Sequence, residues 1–425
     1  MVSFLIGVIL ILLALFGSSL FAIIAALTLI LFYFADISSM AIIIELYRLA
    51  SQPVLLAIPL FTFAGYMLAE SKTPVRIVNL SRAFFSWLPG GLGIVTLVSC
   101  ALFTAFTGAS GVTIIALGGL LYPVLQAENY PEKFNLGILT SSGNLGLLFP
   151  PSLPIILYGL ISETSIDQLF LAGVIPGILL IGLLSIYSVN RMQKVNVRTE
   201  PFSWPEAWKA VKGAAWEIPL PFIILVGIYG GFFTATEAAA VTAFYVLIVE
   251  VFIYKDLSLK EGLPRVMRDS MILVGGILVI MSAALGLANY IIDAEIPTKI
   301  FEGLKLFITN KYAFLLVLNI FLLIVGALMD IFSAILVVVP LIIPIANNFN
   351  IHPVHLGIIF LVNLGIGYST PPFGMNLFIA SFRFQQPMLK LFKATVPFLI
   401  ITLLALILIT YIPELSLWLL SVFQV

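Results

Sequence analysis

Two apolar stretches of membrane length are each cut by a run of glycine and paired proline, and the two cuts are copies of one another. The first reads Asn144-Leu-Gly-Leu-Leu-Phe-Pro-Pro151 and the second Gly365-Ile-Gly-Tyr-Ser-Thr-Pro-Pro372. A single shift of 221 positions carries Pro123, Gly146, Pro150, Pro151 and Pro176 onto Pro344, Gly367, Pro371, Pro372 and Pro397. Proline removes a backbone donor and clashes with the preceding turn, so neither stretch can run on as one regular helix. In lipid, the freed amides and carbonyls must find partners in protein or line a water-filled cavity. Breaks repeated in two halves of a membrane protein point to a transport site near the bilayer midplane.

That argument needs the flanking sequence to be membrane-grade, and it is. The chain is 61% hydrophobic and 9% charged, outside the range of soluble domains. Runs such as Val2–Phe34, Ile218–Phe233 and Ala394–Ile412 are apolar enough to cross a core of about 30 Å. Period-two alternation is missing, which speaks against a membrane barrel. The formal net charge is +0 and no basic block stands out, so nucleic acid is not an expected partner. The lone cysteine, Cys100, allows neither an intrachain disulfide nor a thiolate metal cluster. The N-terminus lacks the basic start and cleavage site of a signal peptide and reads as a retained first helix.

Loop charges orient the chain. Lys72–Arg82, Arg191–Lys212 and Lys255–Arg268 are rich in Lys and Arg and belong inside, whereas Glu163–Asp167 is acidic and belongs outside. The partner of that acidic loop under the shift, around Arg383 and Lys390–Lys393, is basic. Equivalent positions therefore face opposite sides, as in an inverted-topology repeat. The path starts outside and crosses near 2–17, 20–35 and 53–71. An interfacial stretch Val75–Leu88 follows, and the second half repeats this as 216–234, 236–254, 267–290 and Glu295–Thr309. Each half then holds an apolar stretch cut at a polar tip: Thr107–Gly111 within Gly91–Gln126, and Gly326–Asp330 within Tyr312–Ala346. Charge parity makes both of these re-entrant hairpins, with single kinked helices as the alternative.

The expected fold is an all-α polytopic membrane protein with inverted repeats, two re-entrant helical hairpins and two Pro-Pro-broken helices. Residues 1–90 form first-half scaffold helices and an arm. Residues 91–190 form a first transport unit of hairpin, broken helix and following helix. The second half repeats this as scaffold and arm over 191–310 and transport unit over 311–425.

Small hydroxyls, glycines and bared carbonyls suit a hard monovalent cation, while half-helix N-termini suit an anion. Thr107, Gly108 and Ser110 at the first tip pair with Ser141, Ser142, Gly143 and Asn144 as one sodium site. Gly326 and Asp330 at the second tip pair with Gly365, Gly367 and Thr370 as another. Ser110, Asn144, Pro150, Pro151, Thr370, Pro371 and Asn376 are the candidates for holding a substrate. Against this stands ordinary helix packing by small residues in membranes. Asp330 is the sharpest candidate, since an intramembrane carboxylate is expensive. It is also a good helix N-cap for Ile331–Val339. Glu45 and Arg48 read as an interfacial ion pair and Glu237 as a helix cap. His352 and His355 read as solvated in an outer loop, and Arg383 as snorkelling. No nucleophile–base pair, Walker lysine or metal cluster is present, so no enzyme activity and no cofactor is expected.

At Ala57-Ile-Pro-Leu-Phe-Thr-Phe-Ala-Gly65, Thr107–Gly111, Gly143–Ser152 and Gly367–Asn376 the chain resembles the large membrane subunit of tripartite ATP-independent periplasmic (TRAP) transporters, the family of the C4-dicarboxylate transporter large permease. The resemblance covers nearly the whole chain. It implies a sodium-coupled symporter of the bacterial inner membrane that imports an organic acid such as a C4-dicarboxylate or sialic acid by an elevator mechanism. Sodium would be the coupling ion. The implied partners are a small membrane subunit and a periplasmic substrate-binding protein, with the N-terminus periplasmic. The family's sodium sites match Ser110, Ser142, Gly143, Asn144, Gly326, Asp330, Gly367 and Thr370. The tip departs from relatives that carry more consecutive serines. The alternative is a stand-alone two-hairpin elevator carrier or ion antiporter.

Overall fold

The computed structural model describes residues 20–88, 90–193, 195, 201–305, 308, 310–372 and 374–423, and these are helical with no strand among them. The expected crossing near 2–17 lies outside them, as does the Glu45 side chain of the expected pair with Arg48. Helices α1 (Leu20–Phe34), α2 (Met40–Ala50) and α3 (Ala57–Glu70) lead into α4 (Thr73–Phe85). Next come α5 (Gly91–Thr107) and α6 (Ser110–Ala127), then α7 (Glu132–Ser142), a 3-10 turn Leu145–Leu148, α8 (Leu153–Ser162) and α9 (Ile166–Met192). A surface helix α10 (Trp204–Gly213) joins this to the second half.

There the series runs α11 (Pro219–Tyr229), α12 (Ala235–Leu247), α13 (Gly262–Asp293) and α14 (Ile296–Lys305). It continues with α15 (Lys311–Leu328), α16 (Ile331–Asn348), α17 (Pro353–Gly367), α18 (Met375–Phe384) and α19 (Met388–Tyr411), and closes with α20 (Glu414–Phe423). The repeat read from the prolines holds for whole elements: the shift that relates the breaks lays α6 onto α16 residue for residue. Among the described residues, 8 helical stretches are long and apolar enough to cross a membrane.

Both polar-tipped stretches are hairpins. The Thr104 and Thr113 hydroxyls, nine residues apart, are hydrogen-bonded at 2.6 Å. At the foot of the second hairpin, Phe314 and Phe349 stack at 4.4 Å, although a continuous helix would hold them about 50 Å apart. The turns are made by local chemistry. Gly108 adopts φ +66, and a Cβ there would press on Leu153 at 2.7 Å. Asp330 accepts the Ser333 amide at 3.0 Å and so caps α16. Tyr130, outside the spans, places its hydroxyl against Leu92 and Gly93 at the amide end of α5, and burial pushes its phenol up to about 12.

The broken helices show the inversion. α7 and α8 bend by 46° across the first break. Lys390 at the start of α19 donates to Glu132 at the start of α7 at 2.7 Å, so these two ends share one face. At the opposite face the Tyr158 hydroxyl in α8 donates to the Pro353 carbonyl at the start of α17, at 3.3 Å. The first broken helix therefore rises from the face on which the second one ends.

The halves interlock: α6 packs on α18 and α16 on α8. Away from this core, Arg76 of α4 is gripped by Glu217 at 3.0 Å, by Glu250 at 3.8 Å and by Asp256, with its guanidinium 3.6 Å from the Tyr254 ring. A charge pulled from water survives only with such partners. Glu237 completes a capping box with Thr234, as expected.

Candidate functional site

A carbonyl freed by a helix break must find a donor, and at the centre of this molecule asparagines supply it. The Asn144 side-chain amide donates to the Gly365 carbonyl, which joins the two breaks at positions equivalent under the repeat. Asn144 Oδ1 accepts from Asn376 Nδ2 at 2.9 Å, and Asn376 Nδ2 also reaches the Thr140 carbonyl at 3.3 Å. Asn376 Oδ1 in turn accepts from Ser110 Oγ at 2.9 Å. One polar chain thus runs from the first hairpin tip through the half-helix α18 to both breaks, and all its members except the half-buried Asn144 are buried.

Each tip also meets its own break. Thr104 Oγ1 donates to the Gly143 carbonyl at 3.0 Å in the first half. In the second, the Ile331 amide donates to the Tyr368 hydroxyl. Both seams rest on glycine: a Cβ on Gly367 would stand 2.6 Å from Gly326 Cα, while one on Gly146 would strike the Ala101 carbonyl. Ala105 and Gly326 are equivalent positions, so the same close approach is made twice.

Of the residues singled out from sequence, Ser110, Asn144, Gly365 and Asn376 come together directly. Ser141, Ser142 and Gly143 are buried beside them. Among the described residues, the Ser141 hydroxyl has no hydrogen-bond partner. Ser141 and Ser369 face a cavity of about 30 Å³ that Asn144 and Gly365 also line. Thr107 and Thr370 instead bond back to their own helices, at Phe103 and Ile366, each at 3.0 Å. Pro150 and Pro151 are buried, whereas Pro371 and Pro372 are exposed, and each pair contains a cis peptide bond. Asp330 stands at the second seam and turns both oxygens onto Ser333.

One expectation is corrected. His355 is not solvated: it is 1% exposed, with Nε2 3.3 Å from the Thr410 carbonyl. It ends a buried polar ladder in which Asn363 donates to Asn319 at 2.7 Å and Asn319 donates to Thr410 at 3.1 Å. Sequence reasoning passed over that ladder and also Thr104, Thr113 and Tyr368. The available signal was an asparagine within an apolar run, which lipid tolerates only with a partner. Among the described residues, no three His, Cys, Asp or Glu side chains are placed to hold a metal ion. Apart from the Asp330 carboxylate, the oxygens gathered here are neutral hydroxyls, amides and carbonyls.

Inverted repeats, paired hairpins and a polar seam between broken helices define a multi-pass membrane permease. The model of the DctM component of tripartite ATP-independent periplasmic transporters matches residues 5–415. The C4-dicarboxylate TRAP transporter large permease protein DctM of Pseudomonas aeruginosa is 38% identical over 394 residues, 92% of this chain and 91% of that protein. The isethionate TRAP transporter permease protein DctMQ of Oleidesulfovibrio alaskensis is 35% identical over 373 residues, 86% of this chain and 58% of that longer protein. The crystal structure of the Alcanivorax borkumensis YdaH transporter shares the fold with a TM-score of 0.62 at 14% identity, covering 88% of this chain and 87% of that one. The chain belongs to the DctM family, the large permease component of TRAP transporters. Its relatives are transport components, not enzymes.

Proposed function

We propose that this chain is the substrate-carrying subunit of a sodium-coupled symporter for an organic acid. The supporting observation is the chain Ser110–Asn376–Asn144–Gly365, which gathers neutral oxygens and breaks two helices at one place. Neutral oxygens favour a hard monovalent ion over a divalent one, because no carboxylate pair is present to offset a second charge. The first site draws on Ser110 and Ser141–Asn144, and the second on Gly326, Asp330, Gly365, Gly367 and Thr370. A carboxylate would sit against Asn376, Thr370 and the exposed Pro371, near the half-helix α18, whose N-terminal amides favour an anion. Relatives named for C4-dicarboxylate and isethionate suggest small organic anions as the substrate class.

In this reading, residues 1–90 and 191–310 supply the scaffold and arms, and 91–190 with 311–425 travel as one body in an elevator motion. The interlocked packing of α6 on α18 and α16 on α8 supports treating the hairpins and broken helices as a single body. The chain would work in the bacterial inner membrane with a small membrane subunit and a periplasmic binding protein, its N-terminus periplasmic. Uptake of a labelled dicarboxylate into vesicles holding the full complex tests this. An inward sodium gradient is expected to drive accumulation and a potassium gradient is not; accumulation independent of sodium overturns the coupling.

A further inference from the structure

Two helices begin side by side on one face of the molecule: α7 at Glu132 and α19 at Met388. The Lys390 ammonium ties them by donating to Glu132 at 2.7 Å. Each helix starts behind a proline, Pro131 or Pro387, and neither has a side chain capping its first amides. A helix start carries partial positive charge and favours anions near it. The side chains placed here run against that rule. Lys133 lies in the first turn of α7, and Lys390 and Lys393 lie in the first two turns of α19.

Between these starts lies a cavity of about 480 Å³, whose charged lining is Glu132, Lys133, Lys390 and Lys393. Three ammonium groups against one carboxylate leave the groove positive. Lys390 is taken up by Glu132 and by Gln386, the latter at 2.9 Å. Among the described residues, Lys133 and Lys393 meet no carboxylate, and both are exposed. The rest of the wall is apolar, including the buried Leu136 and Leu389, which is 64% exposed. From here α19 runs on as a candidate membrane span. The groove therefore sits where headgroups meet hydrocarbon, on the face that loop charge marks as cytoplasmic.

We propose that this groove binds an acidic phospholipid of the cytoplasmic leaflet, with its phosphate between Lys133 and Lys393 and an acyl chain along Leu389. Anionic headgroups are drawn to cations at this surface. The phosphate offsets like charges that otherwise face each other across the joint between the halves, since α7 belongs to the first and α19 to the second. A soluble anion could use the ammonium groups but would leave the apolar wall without a role, which favours lipid. The groove is separate from the polar seam, and lipid retention is read without measuring transport. Its test therefore stands whether or not sodium drives uptake.

The test is native mass spectrometry of the full chain, delipidated and titrated with phosphatidylglycerol or phosphatidylcholine of the same acyl composition. Phosphatidylglycerol is expected to be retained preferentially. Lys133→Gln with Lys393→Gln, both at exposed positions, should weaken that retention about fivefold for each charge removed. Lys133→Arg with Lys393→Arg keeps both charges and should keep the preference. Lys209→Gln with Lys212→Gln on α10 removes equal charge from the same side of the membrane and should change nothing. Equal retention of the two lipids, undiminished retention by the Lys133→Gln and Lys393→Gln pair, or an equal loss in the α10 pair would each overturn the proposal. Displacement of the lipid by millimolar inorganic phosphate would do so too, by showing that the groove takes a free anion.

Discussion

At the scale of single residues, Asp330 has one observed role, as a helix cap, and one proposed role, at the second sodium site. Its carboxylate caps α16 through the Ser333 amide and hydroxyl, which offsets part of the cost of a charge at membrane depth. Asparagine is as good a cap as aspartate, so Asp330→Asn separates the roles. The variant is expected to stay within about 1 kcal/mol of the parent in stability, while the sodium concentration for half-maximal uptake rises several-fold. An unchanged sodium curve would leave Asp330 as a cap alone. Asn376 carries more of the fold. Asn376→Leu removes the partners of Ser110 and Asn144 together, and each buried group left unpaired costs about 1–3 kcal/mol. Thermal unfolding of the purified variant should register that loss, and uptake should fall with it.

At the scale of elements, the seam between a hairpin tip and its break is set by the closest backbone approach available. Gly367 and Gly326 touch with no room for a methyl group. Gly367→Ala must push the second hairpin off the break, and overpacking of this kind costs about 1–3 kcal/mol. Because it also parts Tyr368 from the Ile331 amide, sodium-dependent uptake should drop more steeply than stability. Among the described residues, Gly303→Ala on α14 meets nothing within 4 Å, and it serves as the matched control. Comparable uptake by the two variants would show that the tight seam is not needed for coupling. Much of this was legible in advance. Glycine and proline state where a helix must stop, so their repetition gave the broken helices, while loop charge gave the hairpins and the inversion. Which glycine faces which was not legible, since small residues carry no mark of their neighbour.

At the scale of the whole molecule, the two halves share one site. Ser110 of the first hairpin bonds to Asn376 beyond the second break, and the breaks bond to each other. A half expressed alone would expose those groups, so neither should fold independently. On the proposed reading, the partners serve delivery of the substrate to a site built by the hairpins and broken helices. Vesicles holding the purified chain should therefore show no sodium-driven uptake until the small membrane subunit and the binding protein are added. Full transport by the chain by itself would favour the stand-alone carrier.

The sequence by itself determined that the chain crosses lipid, that it repeats with inversion, and where its helices break. Those properties follow from local chemistry: apolar length, loop charge, and residues that cannot continue a helix. Only the tertiary structure decided that the first tip reaches Asn376, that Asn144 closes on Gly365, and that His355 is buried on Thr410 rather than bathed in water. The reason is that an unpaired polar group in lipid must find a partner, but the sequence states only the need. Which partner answers depends on helices more than two hundred residues apart meeting face to face.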